Sequence, residues 1–246
     1  MWIDLYTKSE GRICVLAKGI KNVKSHLHGK IELFSLIELS LEKRNSYIIK
    51  GIVAKNYFLD LRKSPEKLSF ASAILEITLA LLPEGYKSNQ YFELLKNTLN
   101  ELAISKKEIL IMYAFQIKSL CLLGYLTDQK ICSKCNQKFN TDLFLDCNNY
   151  SFYCKDCHQT ETQNTVNLSL NTLKILNFLQ KSPFSEIQKL ALPTKKILDE
   201  LSILITQLNI FEYRALKSFK FLQDLHEQKV LYTQHTQSPR YCLKLN

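Results

Sequence analysis

The first 57 residues alternate between apolar and polar positions with a period of two, which is the period of β-strands. Three segments rich in β-branched residues, 12–17, 31–41 and 47–53, predict strands in this region. Turns are predicted between them at Gly11, Gly19, Gly29 and Arg44-Asn45. We therefore expect a small antiparallel barrel or sheet at the start of the chain.

After Pro65 the apolar positions recur at helical spacing in almost all of the remaining chain. The first and third predicted helices are apolar on nearly all sides, which places them in the interior. The helices are predicted over residues 67–82, 89–102, 106–123, from a capping Ser169 through Leu179, and 195–208. The change of period predicts an α+β protein with domains at 1–62 and 63–246.

Two C-x-x-C pairs, Cys132 with Cys135 and Cys154 with Cys157, interrupt the helical pattern with 18 residues between them. This spacing is typical of a tetrahedral zinc site with four thiolate ligands, in which each pair turns back to present two sulfurs. Four thiolates leave no open position for water, so the predicted zinc is structural. The alternatives are a redox pair or reduced surface cysteines.

The segment between the cysteine pairs predicts a hairpin, with residues 138–145 and 150–153 as its strands and Asn148-Asn149 as its turn. Such a hairpin would bring the second pair beside the first, in an insert over about 130–158. His158 and Cys147 are the two residues that could replace one of the four ligands. The basic residues Lys134, Lys138 and Lys155 lie close to the two cysteine pairs in the sequence.

The formal net charge of +10 favours a polyanion as partner, although it also fits a basic protein without one. The segment from residue 12 to 30 contains no acidic residue. Its basic side chains would follow one groove of a small barrel, with further cations at the margin. The candidate DNA-binding residues are Arg12, Lys18, Lys21, Lys24, Lys30, Lys43 and Arg44. Tyr6, Phe34 and Tyr47 could stack on bases, although Phe34 fits the core better.

Several function classes are not indicated. No catalytic grouping of histidine, nucleophile and carboxylate occurs, and no glycine-rich loop could hold a phosphate, so we expect a protein that is not an enzyme. No recognition helix or histidine-bearing zinc finger predicts sequence-specific DNA contacts. The chain shows neither a secretory signal nor an apolar run of about 18 residues, which predicts a cytoplasmic location.

Short strings of residues recur in a characteristic order and spacing along most of the chain. They are Leu5-Tyr6-Thr7, Glu10-Gly11-Arg12-Ile13, Ala17-Lys18-Gly19, Lys24-Ser25, Leu27, Gly29, Phe34, Leu82-Pro83-Glu84-Gly85, Asn89, Leu122-Leu123-Gly124-Tyr125 and Cys132-Ser133-Lys134-Cys135. In their order and spacing these strings resemble the bacterial recombination mediator family RecO. The chain departs from the family pattern at Asn136, where the family often has glycine, and at its start, where members usually have a further strand. The resemblance implies either that the barrel lacks its first strand or that the natural start lies upstream.

The resemblance implies an N-terminal OB-fold, a helical domain with a zinc-binding insert, and binding to single- and double-stranded DNA. It further implies annealing of strands coated by single-stranded DNA-binding protein and, with RecR, assistance in loading RecA. The acidic, aromatic-ended tail of that coating protein would suit an apolar groove flanked by lysines. Such chemistry is offered by Arg214, Lys217, Phe219, Lys220 and Phe221, although an ordinary amphipathic helix also explains these residues. The alternatives are a zinc-ribbon RNA-binding or transcription-associated factor and a nuclease with an unrecognised site.

Overall fold

The N-terminal alternation of apolar and polar residues forms a four-stranded sheet in the computed structural model, which describes residues 1–17, 19–20, 22, 29–126, 130–158 and 165–207. Its strands are β1 (Trp2–Thr7), β2 (Gly11–Leu16), β3 (Leu36–Lys43) and β4 (Tyr47–Asn56). They lie in the order β1-β2-β4-β3, with β2 and β4 parallel and the other neighbours antiparallel. This is the order of an OB-fold without its first strand, which confirms the predicted fold class.

Two details of the sheet differ from the sequence prediction. The chain passes from β2 to the edge strand β3 and returns between them as β4, so β2 and β4 are neighbours and run parallel. The predicted strand over 31–41 begins only at Leu36, because Phe34 has a left-handed backbone with a φ of 58°. The Phe34 ring is buried with the helices instead of lying on the sheet.

The remaining chain forms a helical body. Serine side chains cap three of its helices: the hydroxyls of Ser64, Ser88 and Ser169 each accept a hydrogen bond from the backbone N–H three residues later. After a 3₁₀ turn at Leu59–Arg62, the helices are α1 (Pro65–Leu81), α2 (Asn89–Ile104), α3 (Glu108–Leu122), α4 (Leu170–Lys181), α5 (Phe184–Ile187) and α6 (Lys195–Gln207).

The predicted central position holds for α3, which packs against α1, α2, α4, α5 and α6. By contrast, α1 keeps an outer side on which Leu68 and Leu79 are exposed. The short helix α5 was not predicted, because four residues after Pro183 are too few to show a period. Within the described residues, no helix is long and apolar enough to cross a bilayer.

A second, three-stranded sheet lies in the insert between α3 and α4. Its strands are β5 (Leu143–Asp146), β6 (Ser151–Cys154) and β7 (Thr165–Leu168), in the antiparallel order β6-β5-β7. The predicted hairpin is therefore present as β5 and β6, although its first strand is shorter than predicted. The third strand, β7, was not predicted.

The N-terminal sheet is joined to the helical body at the start of β2. The Arg12 N–H donates to the Tyr86 carbonyl at 3.2 Å, and the Gly85 N–H donates to the Arg12 carbonyl at 2.7 Å. The Tyr6 ring adds an edge contact with Tyr91, at 5.6 Å between ring centroids. These contacts cross the predicted boundary at residue 62, and the division into domains stays a prediction.

Candidate metal centre and nucleic-acid interface

The first cysteine pair lies on a tight turn that begins at the isolated bridge between Ile131 and Lys138. The Cys132 N–H donates to the Gln137 carbonyl at 2.8 Å, and the Asn136 N–H donates to the Cys132 carbonyl at 2.9 Å. Asn136 has a φ of 59°, a left-handed conformation that asparagine tolerates well. The turn therefore directs both sulfurs of the pair to one side.

The second cysteine pair follows β6 and forms a similar turn. The N–H groups of Cys157 and His158 both donate to the Cys154 carbonyl, at 3.1 and 2.9 Å. The Ser133 N–H donates to the Phe152 carbonyl at 2.9 Å and so attaches the first turn to β6. The hairpin thus brings the two pairs together, as their spacing predicts.

The sulfur atoms of Cys132, Cys135, Cys154 and Cys157 all lie within 4.8 Å of one another. A tetrahedral ion with metal–sulfur bonds of about 2.3 Å needs sulfur separations of about 3.8 Å. The Cys135–Cys154 sulfur distance is 3.9 Å, close to that value. The donor set and its size therefore fit one metal ion, which these four residues would hold.

The two other ligand candidates lie outside this cluster. The His158 ring stacks on Phe144, with 4.0 Å between ring centroids and 3° between the ring planes. The Cys147 thiol is buried, and its sulfur lies 4.0 Å from the Leu145 carbonyl oxygen. The cluster of four thiols is complete without either residue.

The backbone around Cys132 favours its thiolate. Desolvation opposes ionisation, but hydrogen bonds from the N–H groups of Cys135, Cys154 and Lys134 outweigh it and lower the Cys132 pKa to about 6. The Cys157 pKa is raised to about 12, chiefly because its thiol donates a hydrogen bond to Cys154. Without a cation the four sulfurs share protons, so metal binding would release protons and weaken as the pH falls.

The predicted DNA-binding residues fall into three groups. Lys18, Lys21 and Lys24 lie outside the described residues. Three of the cations, Lys30, Lys43 and Arg44, are exposed on or beside the N-terminal sheet. The Lys43 ammonium lies 5.4 Å from the Tyr47 ring centre, and Arg44 forms an ion pair with Glu42. Exposed ion pairs of this kind contribute little free energy and exchange readily for phosphate contacts.

Arg12 occupies a different position from the other predicted cations. Its guanidinium donates to the Leu79 and Leu82 carbonyls, both at 2.8 Å, and pairs with Asp4 at 3.6 Å. These carbonyls lie at the end of α1, where the helix leaves them without helical partners. The side chain therefore joins the sheet to the helical body, a role that no local sequence pattern could reveal.

The three candidate stacking residues already make contacts within the fold. The Tyr6 hydroxyl donates to the Ser88 carbonyl at 3.2 Å at the junction with the helices. Phe34 is 5% exposed and belongs to the helical core, as its apolar neighbours predict. Tyr47 is partly exposed and donates to the Glu10 carboxylate at 3.1 Å. Of the three, Tyr47 remains the candidate for contact with a base.

Comparison with known proteins agrees with these features. The family model described as Recombination protein O C terminal matches residues 62–218, more than half of the chain. A DNA repair protein RecO from Alkaliphilus metalliredigens is 30% identical over 190 residues, which cover 76% of each protein. A protein of the same name from Dehalococcoides mccartyi is 29% identical over 82% of this chain and 80% of its own length. Another, from Pelotomaculum thermopropionicum, is 29% identical over 89% of this chain and 86% of its own length. The predicted resemblance is thus confirmed, and the chain belongs to the RecO family of recombination and DNA repair proteins.

Proposed function

We propose that this chain is a recombination mediator that binds single- and double-stranded DNA. In this proposal it anneals complementary strands coated by single-stranded DNA-binding protein and, with RecR, assists the loading of RecA in the cytoplasm beside the nucleoid. The observation that carries the proposal is the family match over residues 62–218. The OB-like sheet with its adjoining acid-free basic segment supports it.

We infer that the metal ion is one structural Zn²⁺. Soft thiolate ligands in a tetrahedral set favour zinc over the hard cations Mg²⁺ and Ca²⁺. Cys132, Cys135, Cys154 and Cys157 would hold it, and a set of four protein ligands leaves no position for substrate. The chemistry that zinc supplies here is a cross-link between the two turns, which stabilises the insert.

In the proposed mechanism, cations of the N-terminal region neutralise phosphates of two strands at once. Lower repulsion between the strands would then speed their pairing. The residues in this role are Lys18, Lys21, Lys24, Lys30, Lys43 and Arg44. Arg12 would contribute by fixing the sheet on the helical body, because its Nη1 and Nη2 groups already contact carbonyls and Asp4.

The salt dependence of DNA binding tests the acid-free basic segment directly. Replacement of Lys18, Lys21 and Lys24 by glutamate is expected to weaken DNA binding and flatten its dependence on salt, by about 0.7 per lost contact on single strands. The matched control replaces the exposed Lys174, Lys189 and Lys195 of the helical body by glutamate. A slope equal to that of the wild type would remove the first three lysines from the site.

The partner proposal concerns the C-terminal stretch of Arg214, Lys217, Phe219, Lys220 and Phe221, which lies outside the described residues. An acidic peptide that ends in an aromatic residue would find both apolar and cationic contacts there. Titration of labelled tail peptide into the full chain, and into a variant with Phe219→Ala and Phe221→Ala, tests this. Equal affinity for both proteins would place the peptide elsewhere.

A second candidate function is a zinc-ribbon RNA-binding or transcription-associated factor. The observation that favours it is the four-cysteine cluster carried on a small antiparallel sheet. Affinity measured for RNA and DNA of the same sequence separates the two functions, and we expect DNA to bind at least as tightly. We also expect labelled DNA to remain intact with the protein and a divalent metal, because the proposed mediator is not a nuclease.

A further inference from the structure

The insert sheet has an outer face that carries aromatic rings. Leu145 and Phe152 are opposite each other on β5 and β6 and point inward, where both are buried. The next pair in register, Phe144 and Tyr153, therefore lies on the opposite face, and both side chains are partly exposed. The His158 ring stacks on Phe144 and is also partly exposed.

Three exposed lysines lie at the cysteine turns of the insert. Lys134 lies between the first two cysteines and Lys155 between the second two, while Lys138 is opposite Ile131 in the bridge that precedes Cys132. None of the three forms an ion pair with a described residue. On the N-terminal sheet, by contrast, Lys50 and Lys55 are paired with glutamates.

Two of the three carboxylates that the structure describes in the insert have backbone partners. Asp142 accepts a hydrogen bond from the Leu170 N–H at the start of α4, at 3.3 Å. Asp146 is buried and accepts from the Asn148 N–H at 2.9 Å. The third, Asp156, is exposed between Cys154 and Cys157 and forms no ion pair with a described residue. Within the described part of the insert, no carboxylate therefore pairs with the three lysines.

We propose that the outer face of the insert binds single-stranded DNA as a second contact site. Phe144, Tyr153 and His158 form a platform for base stacking, and Lys134, Lys138 and Lys155 contact the phosphates. Partly exposed aromatic rings, together with lysines that form no ion pair with a described residue, suit a single strand, because its bases are unstacked. The inference depends on the proposed DNA-binding function and extends it to the metal insert.

A competing explanation is that the lysines only offset the negative charge of four thiolates on a divalent metal. A variant with Lys134, Lys138 and Lys155 replaced by glutamine distinguishes the two. We expect this variant to keep the metal content of the wild type. Its affinity for a single-stranded oligonucleotide should depend less steeply on salt, with a slope smaller by about 2. Glutamine at Lys174, Lys189 and Lys195 is the control and is expected to leave the slope unchanged. A variant that loses metal but binds DNA normally when reloaded would overturn the proposal.

The platform is tested separately with Tyr153→Leu, which keeps an apolar side chain but removes the ring. Loss of one stacked base is expected to weaken binding about 5- to 100-fold, with no loss for an abasic strand of equal length. Tyr125→Leu, an exposed tyrosine after α3, is the control and is expected to bind as the wild type does. If wild-type protein binds no DNA, the proposed function fails; if it binds and both insert variants match it, only this inference fails.

Discussion

Gly11 is the residue at which the N-terminal sheet comes closest to the helical body. Its φ is +71°, and a Cβ atom placed there would lie 2.1 Å from the Tyr86 carbonyl oxygen. The same carbonyl accepts the Arg12 N–H, so any shift that relieves this clash also disturbs the junction. Only glycine satisfies the backbone conformation and the close approach together.

We therefore predict that Gly11→Ala lowers the free energy of unfolding by about 2 to 4 kcal/mol, from backbone strain and weakened junction hydrogen bonds. Urea unfolding followed by circular dichroism measures the change. Gly124→Ala is the control, because Gly124 also has a positive φ of +81° but open space around the added Cβ. It should cost only about 1 to 2 kcal/mol of strain. Equal losses for both variants would contradict the close contact at Gly11.

At the residue scale, the sequence predicts which residues cluster for chemical reasons better than it predicts the distant contacts of a single side chain. Cysteine spacing predicts the cluster of four thiols that the structure shows, because each pair is local and the intervening hairpin is short. The sequence does not predict the role of Arg12, since its partners at Leu79 and Leu82 are about 70 residues away. Phe34 likewise shows its left-handed backbone only in the fold, where the helices bury its ring.

At the scale of elements, Glu200 joins α6 to the start of α4. Its carboxylate accepts hydrogen bonds from the Ser169 N–H and hydroxyl, both at 2.8 Å, and from the Thr172 hydroxyl at 2.5 Å. Desolvation raises the Glu200 pKa, but these hydrogen bonds and Lys196 outweigh it, and the pKa is lowered overall. The ionised carboxylate therefore stabilises the folded state.

Glu200→Gln is predicted to reduce stability at pH 7 by about 1.5 to 3 kcal/mol. Because the folded pKa lies below the usual glutamate value, this stabilisation is complete above that value and disappears as the pH falls through the lowered one. The gap between variant and wild type should therefore narrow in acid, as thermal unfolding across pH would show. Glu186→Gln, at an exposed position, serves as control. A pH-independent gap would contradict the role of the charge.

The metal insert supports a second prediction at this scale. A variant with Cys132→Ser and Cys135→Ser should lose one zinc per chain and unfold at a temperature lower by roughly 5 °C or more, because the cross-link between the two turns is gone. Elemental analysis and calorimetry measure both effects. Cys147→Ser should keep its zinc, since Cys147 lies outside the cluster. Wild-type protein that is folded but free of metal would contradict this prediction.

Helices of 12 residues or more were largely predictable, because their apolar period and serine caps are encoded locally. Elements that depend on distant partners were not. Strand β7 has only four residues and exists because β5 offers it an edge. Strands β2 and β4 pair in parallel, although β3 lies between them in sequence. Local periodicity carries no information about either pairing.

At the scale of the whole molecule, the hydrogen bonds and ring contact at the start of β2 join the N-terminal sheet to the helical body. The helical body carries both the N-terminal sheet and the four-cysteine insert. The sheet precedes α1 to α3 in sequence, and the insert follows them. DNA contacts on both would give one strand two attachment points on a single scaffold. Two linked sites of this kind bind more tightly than either alone.

The most direct test of the proposed function is the annealing of two complementary strands, each coated with single-stranded DNA-binding protein. Pairing is followed by fluorescence energy transfer between labels on the two strands. We predict that wild-type protein speeds annealing well above the rate of the coated strands alone, and that replacement of Lys18, Lys21 and Lys24 by glutamate removes most of the gain. Folded, zinc-loaded wild-type protein that leaves the rate unchanged would contradict the proposal that this chain is a recombination mediator.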